Sequence, residues 1–480
     1  MMKFRSLLAM PLIVGASACA VEADDGGAAQ EEGGGAQQQA IASAAKTKLK
    51  LGALVDQTGV STSPHFTYAV ELAVKQMNQA VDNLVIGGHF EFVPVFGDTK
   101  STPATARTLA IKLINEDQVL GLVSDSSGDS LQASRLNYDT TGTTIRKVPI
   151  TCFQCSSAFF NDPTYVDADP LSQLGFRDPN DWLFRVFYNA KYEALVMLRI
   201  AMQHGVNGDT NGDGAFKIGI YADGGHTSSA VAAVAALPGL YAGTSYSETI
   251  NFTTAAAIPT DLPKLVDDFN VSTNVTDAYP DTVLVAALPG NVTPVVQQYR
   301  AAGYTIPLQS VNAFRRDYIL ASVGAIAEGL EGSSIAAYDN SPSGAAFYNA
   351  FVAAYGAKPE VTASGAYDSM VTLMLATLVA AHDKGGVKKV TPADIRLGLT
   401  KINQECGVKI KPTVADFKKA AQLIRLGLPI NYEGAFDSID WDAVGDMFPP
   451  LVHWKVEGGQ FVEYERYACS PSTPTCPIAP

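Results

Sequence analysis

From Lys48 onward the chain repeats one unit: a short apolar run, a loop of small and polar residues, then a stretch whose apolar residues recur at helical spacing. "KLKLGALV" reads as a buried strand, and "YAVELAVKQMNQA" puts Val70, Ala73, Met77 and Ala80 on one face of a helix. "FEFVPVF" reads as the next strand, Pro103 to Asn115 as a helix capped by Ser101 or Thr102, and "VLGLV" and "KVPIT" as two more strands. The alternation resumes with "FKIGIYA", the Ala/Val-rich helix after His226, "TVLVAAL", a helix through Val295 to Ala302, and "IPLQSV". Strands and helices in strict alternation imply an α/β fold with parallel sheets covered on both faces. About 430 residues exceed a single core and predict two lobes. Each sheet would then turn its strand C-termini toward a shared cleft, where open α/β folds bind ligands.

The first residues carry a different signal. Lys3 and Arg5, an apolar segment from Leu7 to Val14 and the small residues after it form the three zones of an export signal, too short to span a bilayer. Ala16-Ser17-Ala18 fits an ordinary cleavage site, while Ala18 before Cys19 resembles a bacterial lipoprotein box, with Ala16 where Leu is usual. The Gly/Ala/Gln/Glu stretch after Cys19 cannot bury enough apolar surface to fold and suits a tether, which favours lipidation of Cys19. Residues 1–18 are thus expected to be a signal peptide and 19–47 a lipid-anchored linker. The bland alternative is a soluble export with a ragged N-terminus.

Charge narrows the partners. With 48 acidic against 34 basic residues and no Lys/Arg cluster, the surface repels phosphate backbones and anionic headgroups, so nucleic acid is not an expected partner. No later run of eighteen apolar residues is evident, so contact with the membrane is expected only through the anchor. Five cysteines follow Cys19. Cys469 and Cys476, separated by six residues that include Pro471 and Pro474, are expected to pair in an oxidising compartment, and Cys406 is the expected leftover. Cys152-x-x-Cys155 has no second pair at zinc spacing and reads as a structural disulfide or two unpaired thiols.

Several stretches resemble a known family: "KLKLGALVDQTG", "VFGDTKSTPATARTLAIKLINEDQVLGLVSDSSGDS", "KVPITCFQCSSA", "WLFRVF", "TVLVAALPGNVTPVVQQYRAAGY", "ASGAYDSMVTLMLATLVAA" and "LVHWKVEGGQFV". In this order, from about Lys48 to Glu465, they are similar to type 1 periplasmic substrate-binding proteins, above all those for branched-chain amino acids that feed ABC importers. The resemblance implies two Rossmann-like lobes joined by a three-crossing hinge and closing on a small molecule. Lobe 1 would hold 48–184 and 336–432, lobe 2 would hold 187–335 and 433–465, and 466–480 would be a tail. Partners would be an ABC permease or a membrane sensor.

The resemblance also proposes a site. In "SDSSGDSLQAS" hydroxyls and free N–H groups meet at a helix N-terminus, a ready anion site, where Ser126 or Ser127 would hold a ligand carboxylate. Ordinary capping by serine is the competing account. Gln154 and Ser156, with Ser157 beside them, would complete the polar cage. From the other lobe would come His226, where an aromatic is usual, Leu288, where a tyrosine is frequent, and Asn312, where amino acid binders carry an acid. Without that acid a buried ammonium lacks its counter-charge. Asp125 is the available substitute.

Two motifs point elsewhere. Gly128-Asp129-Ser130-Leu131 matches the signature of the GDSL esterases, and Asp223-Gly224-Gly225-His226 supplies an Asp-x-x-His. The Gly-x-Asn-Asp block is missing and both motifs sit at the wrong places in the chain, so no enzyme is expected. Asp209, Asn211, Asp213 and Gly214 reproduce the first half of a calcium loop, but Ile220 stands where a bidentate Glu belongs. Structural calcium is the only cofactor the sequence leaves open. The expected function is an extracytoplasmic solute-binding lipoprotein that captures a small polar or anionic molecule. The rival is a sensing or regulatory lipoprotein on the same fold.

Overall fold

The computed structural model describes residues 46–59, 61–139, 141–158, 160, 182–224, 226–267, 279–336 and 341–479. The signal segment, Cys19 and the tether up to Ala45 lie outside them.

β1 (Thr47–Val55), β2 (Phe90–Asp98), β3 (Leu122–Ser126), β4 (Ile150–Gln154) and β5 (Leu183–Arg185) form one parallel sheet in the order β2-β1-β3-β4-β5. Leu51 to Val55 are buried without alternation, as a strand covered on both faces requires. The helix Pro64–Val81 buries Val70, Ala73, Met77 and Ala80 as its spacing predicts, and the next helix runs Pro103–Asn115. β3 and β4 begin three residues later than "VLGLV" and "KVPIT" suggest. Their ladders start at Leu122 and Ile150, opposite Gly52 and Leu183.

In the second half β6 (Ala215–Ala222), β7 (Thr244–Asn251), β8 (Thr282–Ala286), β9 (Leu308–Ser310) and β10 (Glu331–Ile335) are parallel. β11 (Val408–Ile410) and β12 (Ile430–Tyr432) form a separate pair. β13 (Leu451–Glu457) and β14 (Gln460–Tyr467) add an antiparallel edge, giving the order β14-β13-β10-β9-β8-β6-β7. Each large sheet carries an apolar cluster on either face.

The helix Ala363–Lys384 is long and apolar enough to cross a membrane, which the sequence reading did not register. Its apolar window is wholly buried in the first lobe, and Ala363 through Ala381 are covered all round. Such a helix reads the same in a core as in lipid, and here the core surrounds it. Inside it, Asp368 accepts from the Tyr432 hydroxyl (2.7 Å) and from the N–H groups of Ala435 (2.9 Å) and Phe436 (2.7 Å). That grip needs Gly434, where a Cβ would lie 2.6 Å from Asp368 Oδ2. Ala435, Ile439 and Met447 pack in the first lobe's core. The chain therefore rejoins the second sheet at Leu451, later than the expected boundary at Glu433.

Two inter-lobe crossings meet at Arg185, which is fully buried. Its Nε pairs with Asp446 Oδ1 at 2.9 Å, its Nη1 donates to the Ser157 carbonyl at 2.8 Å, and its own carbonyl accepts from Trp441 Nε1 at 2.8 Å. One guanidinium thus ties the first crossing to the third. The tail is closed by a Cys469–Cys476 disulfide and packs beside Phe187, Tyr188 and Tyr467. Cys152 and Cys155 are also bonded, and Cys406 is free and exposed.

Candidate functional site

The C-terminal ends of β3, β4, β6, β8 and β9 face one cavity of about 630 Å³ between the two sheets. Asp125, Ser126, Ser127, Gln154, Ser156 and Ser157 line it from the first lobe, and His226, Leu288 and Asn312 from the second. The fold thus brings all nine sequence-nominated residues to one space. Its volume suits a small molecule.

On the first-lobe wall the hydroxyls have structural duties. Ser126 caps the helix Ser127–Leu136 by accepting from Asp129 N at 3.2 Å, so the capping account is realised. Ser127 Oγ accepts from Ser157 N at 3.1 Å, which joins the two serine loops. Asp56, after β1, accepts from Gly59 N (2.6 Å), Ser61 N (3.0 Å) and the Ser101 hydroxyl, and donates its own N–H to Asp125 Oδ2 at 3.2 Å. Burial raises the Asp125 carboxyl well above the carboxylate range, and the charges of Asp129 and Asp56 add to the rise while Arg316 opposes it. Burial also pushes Asp129 up to about 6, with the Thr99 and Ser126 hydroxyls opposing the rise.

The second-lobe wall is organised by Asp223. Its Oδ2 accepts from Leu288 N (2.5 Å) and Asn291 Nδ2 (2.9 Å), and its Oδ1 accepts from His226 N and Nδ1 (both 3.2 Å). Burial works against ionisation, but His226, the Leu288 N–H and the Asn291 amide hold this carboxyl below its ordinary range. Asn312 donates its backbone N–H to Glu193 Oε1 at 2.8 Å. Burial pushes Glu193 up to about 7, against that N–H and the Tyr188 hydroxyl.

Sequence reasoning missed the arginine that spans the cleft. Arg316, from the second lobe and 6% exposed, pairs through Nη1 with Glu360 Oε2 at 2.9 Å and donates through Nη2 to Gln154 Oε1 at 3.3 Å. Its guanidinium also lies 5.8 Å from the centroid of the Phe66 ring. The signal was the Arg315-Arg316 pair after Asn312. Asp56 and Asp129 were missed as cavity-lining residues too, and both sit at strand-end positions that topology alone marks.

The two side motifs resolve locally. Ser130 is fully buried and donates to Ser124 Oγ at 3.0 Å, and it is absent from the cavity wall where Asp129 and Leu131 appear. The GDSL match therefore presents no nucleophile to the cleft. In the calcium-like loop the candidate ligand oxygens are engaged by the loop itself. Asp209 accepts from Gly212 N (2.6 Å) and Gly214 N (2.8 Å), Asn211 from Asp213 N (3.0 Å), and Asp213 from Ala215 N (2.9 Å) and the buried Lys217 ammonium. Backbone donors and a lysine engage these oxygens. Among the described residues no cluster of metal-ligating side chains occurs.

Residues 48–425 match the model of a periplasmic binding protein family. A comparison with curated proteins returned no match. Among solved structures the chain is similar to a leucine-binding protein from Thermotoga maritima, with a TM-score of 0.61 and 16% identity over 88% of this chain and 99% of that one. It is similar to an ABC-transporter solute-binding protein from R. palustris in complex with benzoate, with a TM-score of 0.59 and 16% identity over 90% and 97%. It is also similar to a branched-chain amino acid ABC transporter protein from Thermus thermophilus with bound valine, with a TM-score of 0.61 and 13% identity over 88% and 97%. At such identities the likeness carries the fold, which is the type 1 arrangement that the motifs imply. With two parallel sheets, a cleft at their strand ends and a family match over most of its length, the chain belongs to the periplasmic binding protein family, a family of solute-binding proteins.

Proposed function

We propose that this protein is an exported, lipid-anchored receptor that captures a small polar molecule, an amino acid or a related compound, between its lobes and delivers it to an ABC importer. The observation that carries the reading is the cavity itself. Residues from five strand ends and both lobes converge on it, and Ser126, Ser127 and Gln154 present hydroxyls and an amide beside a helix N-terminus. Arg316, which reaches from the second lobe to Glu360 and Gln154 of the first, supports a closing cleft, because its contacts exist only when the lobes approach. The relatives that bind leucine, valine and benzoate give the scale of ligand to test. Catalysis forms no part of this role.

The test is mass spectrometry of small molecules that co-purify with the protein, paired with small-angle scattering before and after their removal. A bound compound whose loss expands the molecule is the expected result. A cleft that never holds a solute and never changes shape would favour the regulatory role instead. For the anchor, cells expressing wild type and Cys19→Ala are fractionated. Wild type is expected in the membrane fraction and the variant in the soluble one, and a wholly soluble wild type would refute lipidation.

A further inference from the structure

Three buried polar atoms on the cavity-lining residues have no hydrogen-bond partner among the described residues: Asp125 Oδ1, Asp129 Oδ1 and Asn312 Oδ1. All three are acceptors. The first two come from the first lobe and the third from the second, on side chains only 2%, 1% and 7% exposed. An unpaired buried acceptor is costly, so this arrangement calls for a ligand that brings donors.

Charge points the same way. Asp56, Asp125 and Asp129 share the first-lobe wall, while the arginine on the lining, Arg316, is already paired with Glu360. The helix N-terminus at Ser127 is faced by the Asp129 carboxyl and capped by Ser126. An added anion at this wall would meet carboxyls first.

We infer that Asp125 and Asp129, completed by Asn312 when the lobes close, form an amine subsite, and that the solute carries a protonated amine. The inference rests on the solute-capture role and names the chemical class of the solute. An ammonium supplies three N–H donors and one positive charge, which matches three orphaned oxygens between acids. The acid missing at Asn312 is thereby replaced from the opposite lobe, and the amine is held mainly by the first lobe. Binding would also release protons. The charged and polar groups facing the pair are Asp56 from the loop after β1, the Ser126 and Thr99 hydroxyls, and Arg316 from the second lobe. They leave Asp129 titrating at about 6 and hold the Asp125 carboxyl well above its ordinary range, and an ammonium favours the ionised form of both. Affinity therefore rises with pH from 5 to 7.

The test uses the full mature chain and matched probes: leucine against 4-methylpentanoate, phenethylamine against phenylpropionate, and putrescine against 1,4-butanediol. Thermal shift and calorimetry, the latter in buffers of different ionisation enthalpy, read binding and proton release. At least one amine is expected to bind, its amine-free partner at least tenfold more weakly, with proton uptake by buffer that is reduced in Asp129→Asn. Asp125→Asn and Asp129→Asn are each expected to weaken the amine at least tenfold while keeping the wild-type circular dichroism and a melting temperature no lower than wild type. Amine-free probes binding as well as their amine partners, or variants that keep both affinity and proton release, would overturn the subsite and leave solute capture intact. If no probe of any class shifts melting, both the subsite and the capture role fall.

Discussion

The two walls of the cleft carry the same device with opposite electrostatics. Asp125 at the end of β3 and Asp223 just after β6 each accept the N–H of a neighbouring strand-end loop, from Asp56 at 3.2 Å and from Leu288 at 2.5 Å. Asp223 is further bound by Asn291 and His226, and its carboxyl is held low. Asp125 has two more acids nearby and an orphaned oxygen, and its carboxyl is driven up. A carboxylate that bridges two loops is thus a finished structural strut on one side and an unfinished site on the other. What differs is the supply of donors around it.

The comparison depends on the two walls being held in register, and the largest effect is expected where that register is set. Arg185→Leu leaves Asp446 buried without its partner and frees the first crossing from the third. It should cost about 3–5 kcal/mol in denaturant unfolding and broaden the transition as the lobes uncouple. A variant within 1 kcal/mol of wild type, on that same scale of about 3–5 kcal/mol, would show that the crossings hold without it.

A smaller effect separates the struts directly. Asp223→Ala removes the acceptor of the Leu288 and His226 N–H groups and of the Asn291 amide, and should destabilise the ligand-free protein by about 2–3 kcal/mol. Asp125→Asn keeps the acceptor for Asp56 and removes a crowded charge, so the melting temperature at pH 7 should stay or rise. Equal losses in both variants would erase the distinction between strut and site.

The smallest and most diagnostic effect is in pH. Asp129 is raised from 3.8 to about 6, so the native state holds its proton longer than the unfolded chain, and stability declines as pH rises through that window. Glu331, in the second lobe, is opposed by burial but bound by His204 and His453 and drawn down from 4.5 to about 2, so the stability it contributes is lost as pH falls through that range. Asp129→Asn should therefore stabilise by about 1–3 kcal/mol at pH 7 and have no effect below pH 4. Glu331→Gln should cost about 1–3 kcal/mol at pH 7 and nothing near pH 2. Melting temperatures from pH 2 to 8 check both, and parallel pH profiles would contradict the opposed electrostatics.

Local pattern was enough for the frame. Helical spacing on Val70, Ala73, Met77 and Ala80, unbroken apolar strands and Pro at the helix starts are consequences of burial and backbone geometry that act within a few residues, so they can be read in a line of text. The same holds for the strand ends. Once two parallel sheets are inferred, Ser126, Gln154, His226 and Asn312 must fall near a common opening, as they do.

What the line of text could not decide is which way a side chain of given chemistry turns. Arg315 and Arg316 are adjacent and identical, yet Arg315 turns to Ser334, the Ile335 carbonyl and Glu463 within the second lobe, while Arg316 crosses the cleft to Glu360 and Gln154. Asp209, Asn211 and Asp213 have the spacing of cation ligands, and only the folded loop shows that its own N–H groups and Lys217 contact their oxygens. The helix Ala363–Lys384 has the length and apolarity of a membrane span, and only the elements packed around it make it a core. Periodicity records whether a residue is buried, because burial repeats with the backbone. It does not record by what, because the partner lies tens to hundreds of residues away and is chosen by the tertiary arrangement.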